Sequence, residues 1–281
     1  MIKLIVSDLD GTLLSSSKGV SKETLRVIQE AKAAGIEFMM ATGREYKSVK
    51  TIQQNHDLAC DMVLMNGAQY RLHDGSIQEF ISLNGDQMSK IIHTLWEEKP
   101  GLLCHSNLHS YAVEKAFRER WIHHIGTALK LDESALQELS KEEFLTSIIV
   151  MEGISQLSEN QDLYCKIEAF DFADGVFGAV EEKLKAIAEV EVIAYGQRSM
   201  EITHHQAQKG MMLERVIQQK GYRKDEVMVL GDGWNDVSMF QRFPVSVAMG
   251  NALPQIQAYA AHVTKHHDED GVAHAIRQYA L

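Results

Sequence analysis

The chain has 281 residues, which is enough for one large domain or two smaller ones, and we expect two. Hydrophobic residues at 45% and charged residues at 24% are ordinary values for a globular protein, so a disordered or fibrous chain is excluded. The formal net charge of -11 argues against nucleic acid or an anionic membrane as a partner. No apolar run reaches transmembrane length and no signal-peptide pattern opens the sequence, so we expect a cytoplasmic protein, either a monomer or a weak homodimer.

The N-terminal part of the chain predicts a parallel sheet. Short apolar runs alternate with segments of helical periodicity, which is typical of right-handed strand–helix–strand units with helices on both faces of the sheet. The strands are expected at 2–7, 36–41 and 62–65, and the helices at 21–34 and from after Arg44 to about 54. In such a sheet the carboxyl ends of the strands converge on one crevice, where we expect the active site.

The regular alternation is interrupted in the middle of the chain. Asp74-Gly75 lies between two short alternating runs and predicts a β-hairpin. Helices and strands then mix over residues 84–192, and the alternation resumes with a strand at 200–203. The sequence therefore predicts an α/β fold in which a doubly wound, Rossmann-like core, residues 1–83 and 193–281, carries an inserted α+β cap domain at 84–192.

Four polar clusters lie where predicted strands end or helices begin. They are Asp8-x-Asp10-Gly11-Thr12, Thr42-Gly43, Lys209-Gly210 and Gly231-Asp232-x-x-Asn235-Asp236. Because the ends of parallel strands meet at one edge of a sheet, these clusters can surround a single small ligand. Phosphoryl transfer requires a nucleophile, positive charge for the phosphoryl oxygens and a proton donor and acceptor, and the clusters supply all three.

Asp8 is the expected nucleophile, because a carboxylate is ionised at neutral pH and forms an acyl phosphate that water can later cleave. Asp10, in the loop beyond the strand, is expected to act as general acid and base. Asp8 and Asp232, with oxygens from the backbone and the phosphate, suit octahedral Mg2+, which offsets the repulsion between carboxylate and phosphate. Lys209 supplies a compact positive charge for the phosphate.

Further donors are expected around the phosphate. The hydroxyl of Thr42 and the amide of Gly43, at the start of a helix, can donate to its oxygens. Asn235 and Asp236 begin another helix and can fix the metal, a metal-bound water or the phosphate. Arg44 lies close to the end of a strand, where it could contact the substrate.

These motifs resemble those of the haloacid dehalogenase superfamily, and in particular its Cof-like phosphatases, which carry a large cap between the second and third motifs. The resemblance covers nearly the whole chain. It rests on Ser7-Asp8-Leu9-Asp10-Gly11-Thr12-Leu13-Leu14, Ala41-Thr42-Gly43-Arg44, Asn66-Gly67-Ala68, Lys209-Gly210, Gly231-Asp232-Gly233-Trp234-Asn235-Asp236, Met249-Gly250-Asn251-Ala252 and Asp270-Gly271-Val272-Ala273.

The resemblance implies a nucleophile at Asp8 and an acid and base at Asp10. It also implies Mg2+ bound by Asp8, the main-chain carbonyl of Asp10 and Asp232, with Asp236 supporting the metal. The phosphate contacts that it implies come from Thr42, Gly43, Lys209 and Asn235.

The sequence thus predicts a Mg2+-dependent phosphatase that hydrolyses a small-molecule phosphate monoester, a sugar phosphate or a phosphorylated cofactor, through an aspartyl phosphate on Asp8. Two alternatives stay open. A phosphotransferase or mutase would pass the phosphoryl group from the same intermediate to a sugar hydroxyl. A receiver-type switch would keep the phospho-aspartate, although a receiver needs only one doubly wound domain. No pattern in the predicted cap identifies the substrate.

Overall fold

The computed structural model describes residues 1–17, 19–113, 115–128, 132–141, 143–159, 162–170, 172–173 and 175–281. The chain divides into two compact units, Met1–Phe80 with Gln206–Leu281, and Ile81–His205. Each unit has its own β-sheet, of eight strands in the first and six in the second. A search of these described segments finds no helix that is both long enough and apolar enough to cross a membrane.

The strands and helices are numbered here in chain order. The strands are β1 (Leu4–Ser7), β2 (Glu37–Ala41), β3 (Asp61–Leu64), β4 (Gln69–Arg71), β5 (Ile77–Phe80), β6 (Gly101–Ser106), β7 (Ser110–Val113), β8 (Ile149–Met151), β9 (Tyr164–Phe170), β10 (Val190–Tyr195), β11 (Ser199–His204), β12 (Val227–Gly231), β13 (Val245–Ala248) and β14 (His262–Val263). The α-helices are α1 (Lys22–Ala33), α2 (Tyr46–His56), α3 (Gly85–Trp96), α4 (Lys115–Ala128), α5 (Glu133–Leu139), α6 (Glu143–Thr146), α7 (Ser155–Glu159), α8 (Phe177–Lys185), α9 (Lys209–Lys220), α10 (Val237–Phe240), α11 (Pro254–Gln257) and α12 (Gly271–Tyr279).

The first sheet has the strand order β14-β13-β12-β1-β2-β3-β4-β5. Its six strands from β14 to β3 run parallel, and β4 and β5 extend it as the antiparallel hairpin expected around Asp74-Gly75. The chain builds outward from β1 through β2 to β3, and later starts again at β12 on the other side of β1. This reversal makes the β12–β1 boundary a topological switch point, the usual place for a ligand in an open α/β sheet. The predicted α/β class is confirmed.

Local sequence explains the helices that hold this sheet. Ser21 caps α1 by accepting a hydrogen bond from the Thr24 N–H, and Gly35, at a φ of 85°, ends the segment with a left-handed residue. All four residues of β1 are buried, as expected for a central parallel strand covered on both faces. On the helical layers, α1 packs against α12, and α9 packs against α10.

The second sheet has the strand order β10-β11-β9-β6-β7-β8. The prediction of a strand near 200–203 is confirmed, but its expected place in the first sheet was wrong. A tight turn at Gly196, with a φ of 66°, folds β11 back onto β10, and the other edge of β11 pairs with β9. Alternating hydrophobicity predicts a strand but does not show which strand it pairs with. Because β11 pairs within the second sheet, the second unit runs over Ile81–His205 rather than over 84–192.

One face of the second sheet carries a buried ion cluster. The Lys166 Nζ lies 2.9 Å from a carboxylate oxygen of Glu168 and also pairs with Glu201 across the β9–β11 register. The His105 Nε2 lies 3.3 Å from the same Glu168 oxygen. Burial raises the pKa of Glu168, but the positive charge of Lys166 and the hydrogen bond from His105 outweigh burial and hold this pKa below its usual range.

Candidate active site

Three neighbouring strands of the first sheet end in the predicted clusters. Asp8 follows β1, Thr42 follows β2 and Asp232 follows β12, and β1 lies between the other two. The Asp8 N–H continues the ladder by donating to the carbonyl of Leu230, at 3.0 Å. Residues that are far apart in sequence therefore converge at one edge of the sheet, beside the switch point.

Lys209, the first residue of α9, joins two of these clusters. Its Nζ donates to the Oδ1 of Asp8 at 2.6 Å and to the Oδ1 of Asp236 at 2.7 Å, and its side chain is fully buried. Burial alone would lower the pKa of Lys209, but the two carboxylates outweigh burial and raise it. The lysine is therefore a fixed positive charge between two aspartates.

Asp236 also orders the loop that carries Asp232. Its Oδ2 accepts hydrogen bonds from the N–H groups of Asp232 and Gly233, both at 2.9 Å. The carboxylate of Asp232 is held in turn by the Thr12 hydroxyl, which donates to its Oδ1 at 2.9 Å. Two N–H groups use both lone pairs of the Asp236 Oδ2, and its Oδ1 faces the positive charge of Lys209, so the geometry of Asp236 suits support of a metal better than direct ligation.

The carboxylates of Asp8 and Asp232, with that of Asp236 beside them, fit a hard cation. One oxygen from each lies within 4.8 Å of the others. Burial and the negative charges of Asp236 and Asp232 raise the pKa of Asp8 well above its usual value, against the influence of Lys209. Burial and the charge of Asp236 likewise raise the pKa of Asp232 to about 6. Three acids around one lysine leave excess negative charge, and carboxylate oxygens are the ligands that Mg2+ prefers.

Asp10, two residues after Asp8, pairs with Arg44. Its two carboxylate oxygens accept from Arg44 Nε and Nη2, both at 2.6 Å, and Arg44 Nη1 donates to the Ser48 hydroxyl at 3.0 Å. The Asp10 side chain is 44% exposed. Burial would lower the pKa of Arg44, but the hydrogen bonds and charge of Asp10 outweigh burial and raise it. The fork geometry fixes the Asp10 carboxylate in one orientation.

The loop after β2 brings Thr42 to the site but places Gly43 differently from expectation. Thr42 is buried, and its hydroxyl oxygen accepts from the Arg44 N–H at 3.2 Å. The expectation that the Gly43 amide lies at a helix start was wrong, because Glu45 caps the helix by accepting from Lys47 and Ser48 N–H groups, and α2 begins only at Tyr46. Gly43 lies in the loop that precedes the cap.

Asn235 contacts a residue from another part of the core. Its Nδ2 donates to the Oδ1 of Asn66 at 3.0 Å, and Asn66 is buried with a left-handed φ of 57°. The Asn66 N–H donates to the Thr42 carbonyl at 3.1 Å. This places Asn235 and Asn66 next to the Thr42 loop.

Two residues that sequence reasoning gave no role also contact the site. Thr12 orients Asp232, as described above, and Asn251 donates from its Nδ2 to the other Asp232 oxygen, Oδ2, at 3.3 Å. Asn251 belongs to the Met249-Gly250-Asn251-Ala252 motif, which was part of the resemblance but carried no chemical signal of its own. Its position depends on the fold of a segment distant in sequence from Asp8.

The fold and this constellation of aspartates and lysine define a class of enzyme. The model of the haloacid dehalogenase-like hydrolase family matches residues 5–276, so the chain belongs to that family. The suspected family is confirmed, and with it the expected enzyme class, a hydrolase of the phosphatase type.

Individual relatives match over nearly their full length. The phosphatase YwpJ of Bacillus subtilis is 27% identical, over 98% of this chain and 99% of its own. The 5-amino-6-(5-phospho-D-ribitylamino)uracil phosphatase YcsE of Bacillus subtilis is 25% identical, over 100% of this chain and 96% of its own. A solved haloacid dehalogenase-like hydrolase from B. subtilis, 24% identical, superimposes with a TM-score of 0.86 over 100% of both chains, which supports the fold.

Proposed function

We propose that the protein is a Mg2+-dependent phosphatase that hydrolyses a small-molecule phosphate monoester through an aspartyl phosphate on Asp8. The observation that carries the proposal is the buried bridge of Lys209 between Asp8 and Asp236, with Asp232 beside it at the switch point of the sheet. A buried carboxylate next to a fixed cation is a nucleophile placed to meet an anionic phosphate.

The reaction follows from these positions in two steps. An Asp8 carboxylate oxygen attacks the phosphorus, the bond from phosphorus to the ester oxygen breaks, and Asp10 gives a proton to the leaving oxygen. A water molecule then attacks the phosphorus of the aspartyl phosphate, Asp10 accepts its proton, and the bond to Asp8 breaks to release inorganic phosphate. Asp10 therefore acts first as an acid and then as a base.

The counter-charge comes from several groups. Lys209 lies against the nucleophile and binds the phosphoryl oxygens as negative charge moves onto them. Asp8, Asp232 and the Asp10 carbonyl would hold Mg2+, supported by Asp236, and the bound ion would offset the repulsion between the nucleophile and the phosphate. The phosphate donors in this proposal are Thr42, Gly43 and Asn235.

Arg44 has two parts in the proposal. It orients the Asp10 carboxylate through two parallel hydrogen bonds of 2.6 Å, and its guanidinium can bind an anionic oxygen of the substrate. Because Arg44 is anchored to Ser48 at 3.0 Å, its fork approaches Asp10 from a fixed direction. The fork therefore holds Asp10 as a carboxylate, the form that accepts the proton of the attacking water in the second step, and one of its hydrogen bonds opens when Asp10 carries the proton of the first step.

The second unit is proposed to act as the cap that selects the substrate. A sugar phosphate or a phosphorylated cofactor remains the proposed substrate class, and one relative is named for a phosphorylated ribitylaminouracil. The proposal also retains a cytoplasmic protein that acts as a monomer or weak homodimer, without nucleic acid or a membrane as a partner.

The test is hydrolysis of p-nitrophenyl phosphate with Mg2+, with excess chelator, and by Asp8→Asn. We expect release of phosphate only with Mg2+, and loss of turnover in Asp8→Asn with an unchanged circular dichroism spectrum. The matched control is Asp225→Asn, an exposed aspartate of the same unit that pairs with Arg223, which should turn over normally. Normal turnover by Asp8→Asn would overturn the nucleophile. Sugar phosphate formed from an added sugar, at the expense of free phosphate, would favour a phosphotransferase.

A further inference from the structure

One amide side chain ties together three loops around the proposed metal site. The Nδ2 of Asn251 donates to the carbonyl of Gly11 at 2.8 Å and to the Oδ2 of Asp232 at 3.3 Å. Its Oδ1 accepts from the His267 N–H at 3.0 Å. A carbonyl and a carboxylate face the nitrogen and an N–H faces the oxygen, so these partners define the orientation of the amide. Asn251 thereby joins the nucleophile loop, the Asp232 loop and the segment before α12.

The turn that carries Asn251 is itself held in place. Gln257, at the end of α11, donates from its Nε2 to the carbonyls of Met249 and Ala252, at 3.2 and 3.1 Å. The Gly250 N–H donates to the Lys265 carbonyl at 3.0 Å. Asn251 therefore extends toward Asp232 from a turn with fixed geometry.

The two oxygens of Asp232 are each held by one neutral donor. Thr12 donates to Oδ1 at 2.9 Å, and Asn251 donates to Oδ2. Each carboxylate oxygen has two lone pairs, so one on each oxygen remains for a cation. Gly11 packs so closely that a Cβ there would lie 2.3 Å from the Asp232 Oδ2, which restricts the carboxylate further. The carboxylate is fixed in orientation without being neutralised.

We propose that Asn251 is a positioning residue for the cation, one that holds the Asp232 carboxylate and the Gly11 turn in the arrangement that binds Mg2+. The inference rests on the proposed Mg2+-dependent function and adds a residue that acts through Asp232 rather than on the substrate. Donors that orient metal-binding carboxylates commonly contribute a factor of about 10 to 100 in metal affinity. Asn251→Ala should therefore weaken Mg2+ binding by roughly that factor.

The test is calorimetric titration of Mg2+ into the substrate-free protein, which reads out binding without turnover. We compare wild type, Asn251→Ala and Asn251→Ser, with Gln219→Ala as the matched control, because the Gln219 amide also donates to a carboxylate, that of Glu79 at 2.7 Å, but at an exposed site of the same unit that has no part in the proposed metal site. The expected result is a weaker Mg2+ affinity in both Asn251 variants and an affinity close to wild type in Gln219→Ala. Steady-state assays should show a higher Mg2+ requirement in the Asn251 variants, with a smaller change in kcat at saturating Mg2+.

The outcomes separate this inference from the proposed function. Wild-type protein that binds no Mg2+ would overturn the metal dependence itself. Folded Asn251 variants that bind Mg2+ like wild type, or an equal weakening in Gln219→Ala, would overturn the role of Asn251 alone. If the Asn251 variants do not fold, the side-chain amide signal of Asn251 in isotope-labelled wild type decides: it should shift in parallel with Mg2+ occupancy, and an unchanged signal would refute the inference.

Discussion

Replacing Lys209 with methionine tests the charge balance of the proposed site. The lysine is fully buried and lies 2.6 and 2.7 Å from the Asp8 and Asp236 oxygens, so Lys209→Met keeps most of the volume and removes the only cation of that bridge. Removing the cation from buried carboxylates that stay ionised lowers the free energy of unfolding by about 3–5 kcal/mol. Turnover should also fall by roughly 10²–10³, the usual effect of losing one group that stabilises transition-state charge.

The destabilisation caused by Lys209→Met should increase as the pH rises. Burial already raises the pKa of Asp8, and removing the opposing charge of Lys209 raises it further. A carboxyl group whose folded pKa exceeds its unfolded value binds more protons in the folded state, so the free energy of unfolding falls as pH rises from the unfolded pKa to the folded one. Lys209→Met should therefore be close to wild type near pH 4 and most destabilised at pH 8.

The assay is urea denaturation followed by circular dichroism at pH 4 and pH 8, with and without Mg2+. Mg2+ should restore part of the stability of Lys209→Met at pH 8, because it supplies positive charge to the same carboxylates. The control is Lys220→Met, since Lys220 also bridges two acids, Glu37 at 2.8 Å and Asp61 at 3.0 Å, but is 21% exposed. Lys220→Met should lower the free energy of unfolding by about 1 kcal/mol or less and leave turnover unchanged. An equal destabilisation of Lys209→Met at both pH values would refute the reasoning.

Three further changes test other parts of the account. Arg44→Lys keeps the positive charge but loses the paired hydrogen bonds to Asp10. It should lower kcat roughly tenfold without changing the Mg2+ requirement, and an unchanged kcat would contradict this. Gly11→Ala forces a Cβ to within 2.3 Å of Asp232 at a φ of 77°, and calorimetry should find weakened Mg2+ binding; wild-type affinity would argue against it. Glu168→Gln should lower the unfolding free energy by about 3 kcal/mol at pH 7. The difference from wild type should narrow as the pH falls from about 4, because the stabilisation from a depressed folded pKa is complete above the unfolded pKa and is lost as the pH falls through the folded pKa; a difference of the same size at neutral and acidic pH would contradict this.

Site residues were predicted most successfully where a polar side chain directly follows a buried strand. Asp8, Thr42 and Asp232 each follow a short buried strand, and the convergence of parallel strand ends at one edge then placed them together. The bridge from Lys209 to Asp236 was not foreseen, because Asp236 was expected at the metal. That pairing depends on how the first turn of α9 faces the Asp232 loop, which no local pattern encodes.

Other features needed the tertiary structure for different reasons. The strand near 200–203 was recognised by its pattern, but its partner was set by the turn at Gly196. Asn251 had no chemical signal, because an asparagine next to a glycine is usually only a turn residue. The helix expected after Arg44 is present and begins at Tyr46 with Glu45 as its cap, but Gly43, whose amide was expected at the helix start, lies before the cap.

Chemical trapping can show directly whether Asp8 carries the phosphoryl group. Enzyme quenched during turnover with Mg2+ and substrate is treated with borohydride, which reduces an aspartyl phosphate to homoserine, and the peptide that contains Asp8 is examined by mass spectrometry. We expect homoserine at position 8, dependent on substrate and Mg2+. Turnover without modification at position 8, together with modification at another carboxylate, would contradict Asp8 as the nucleophile.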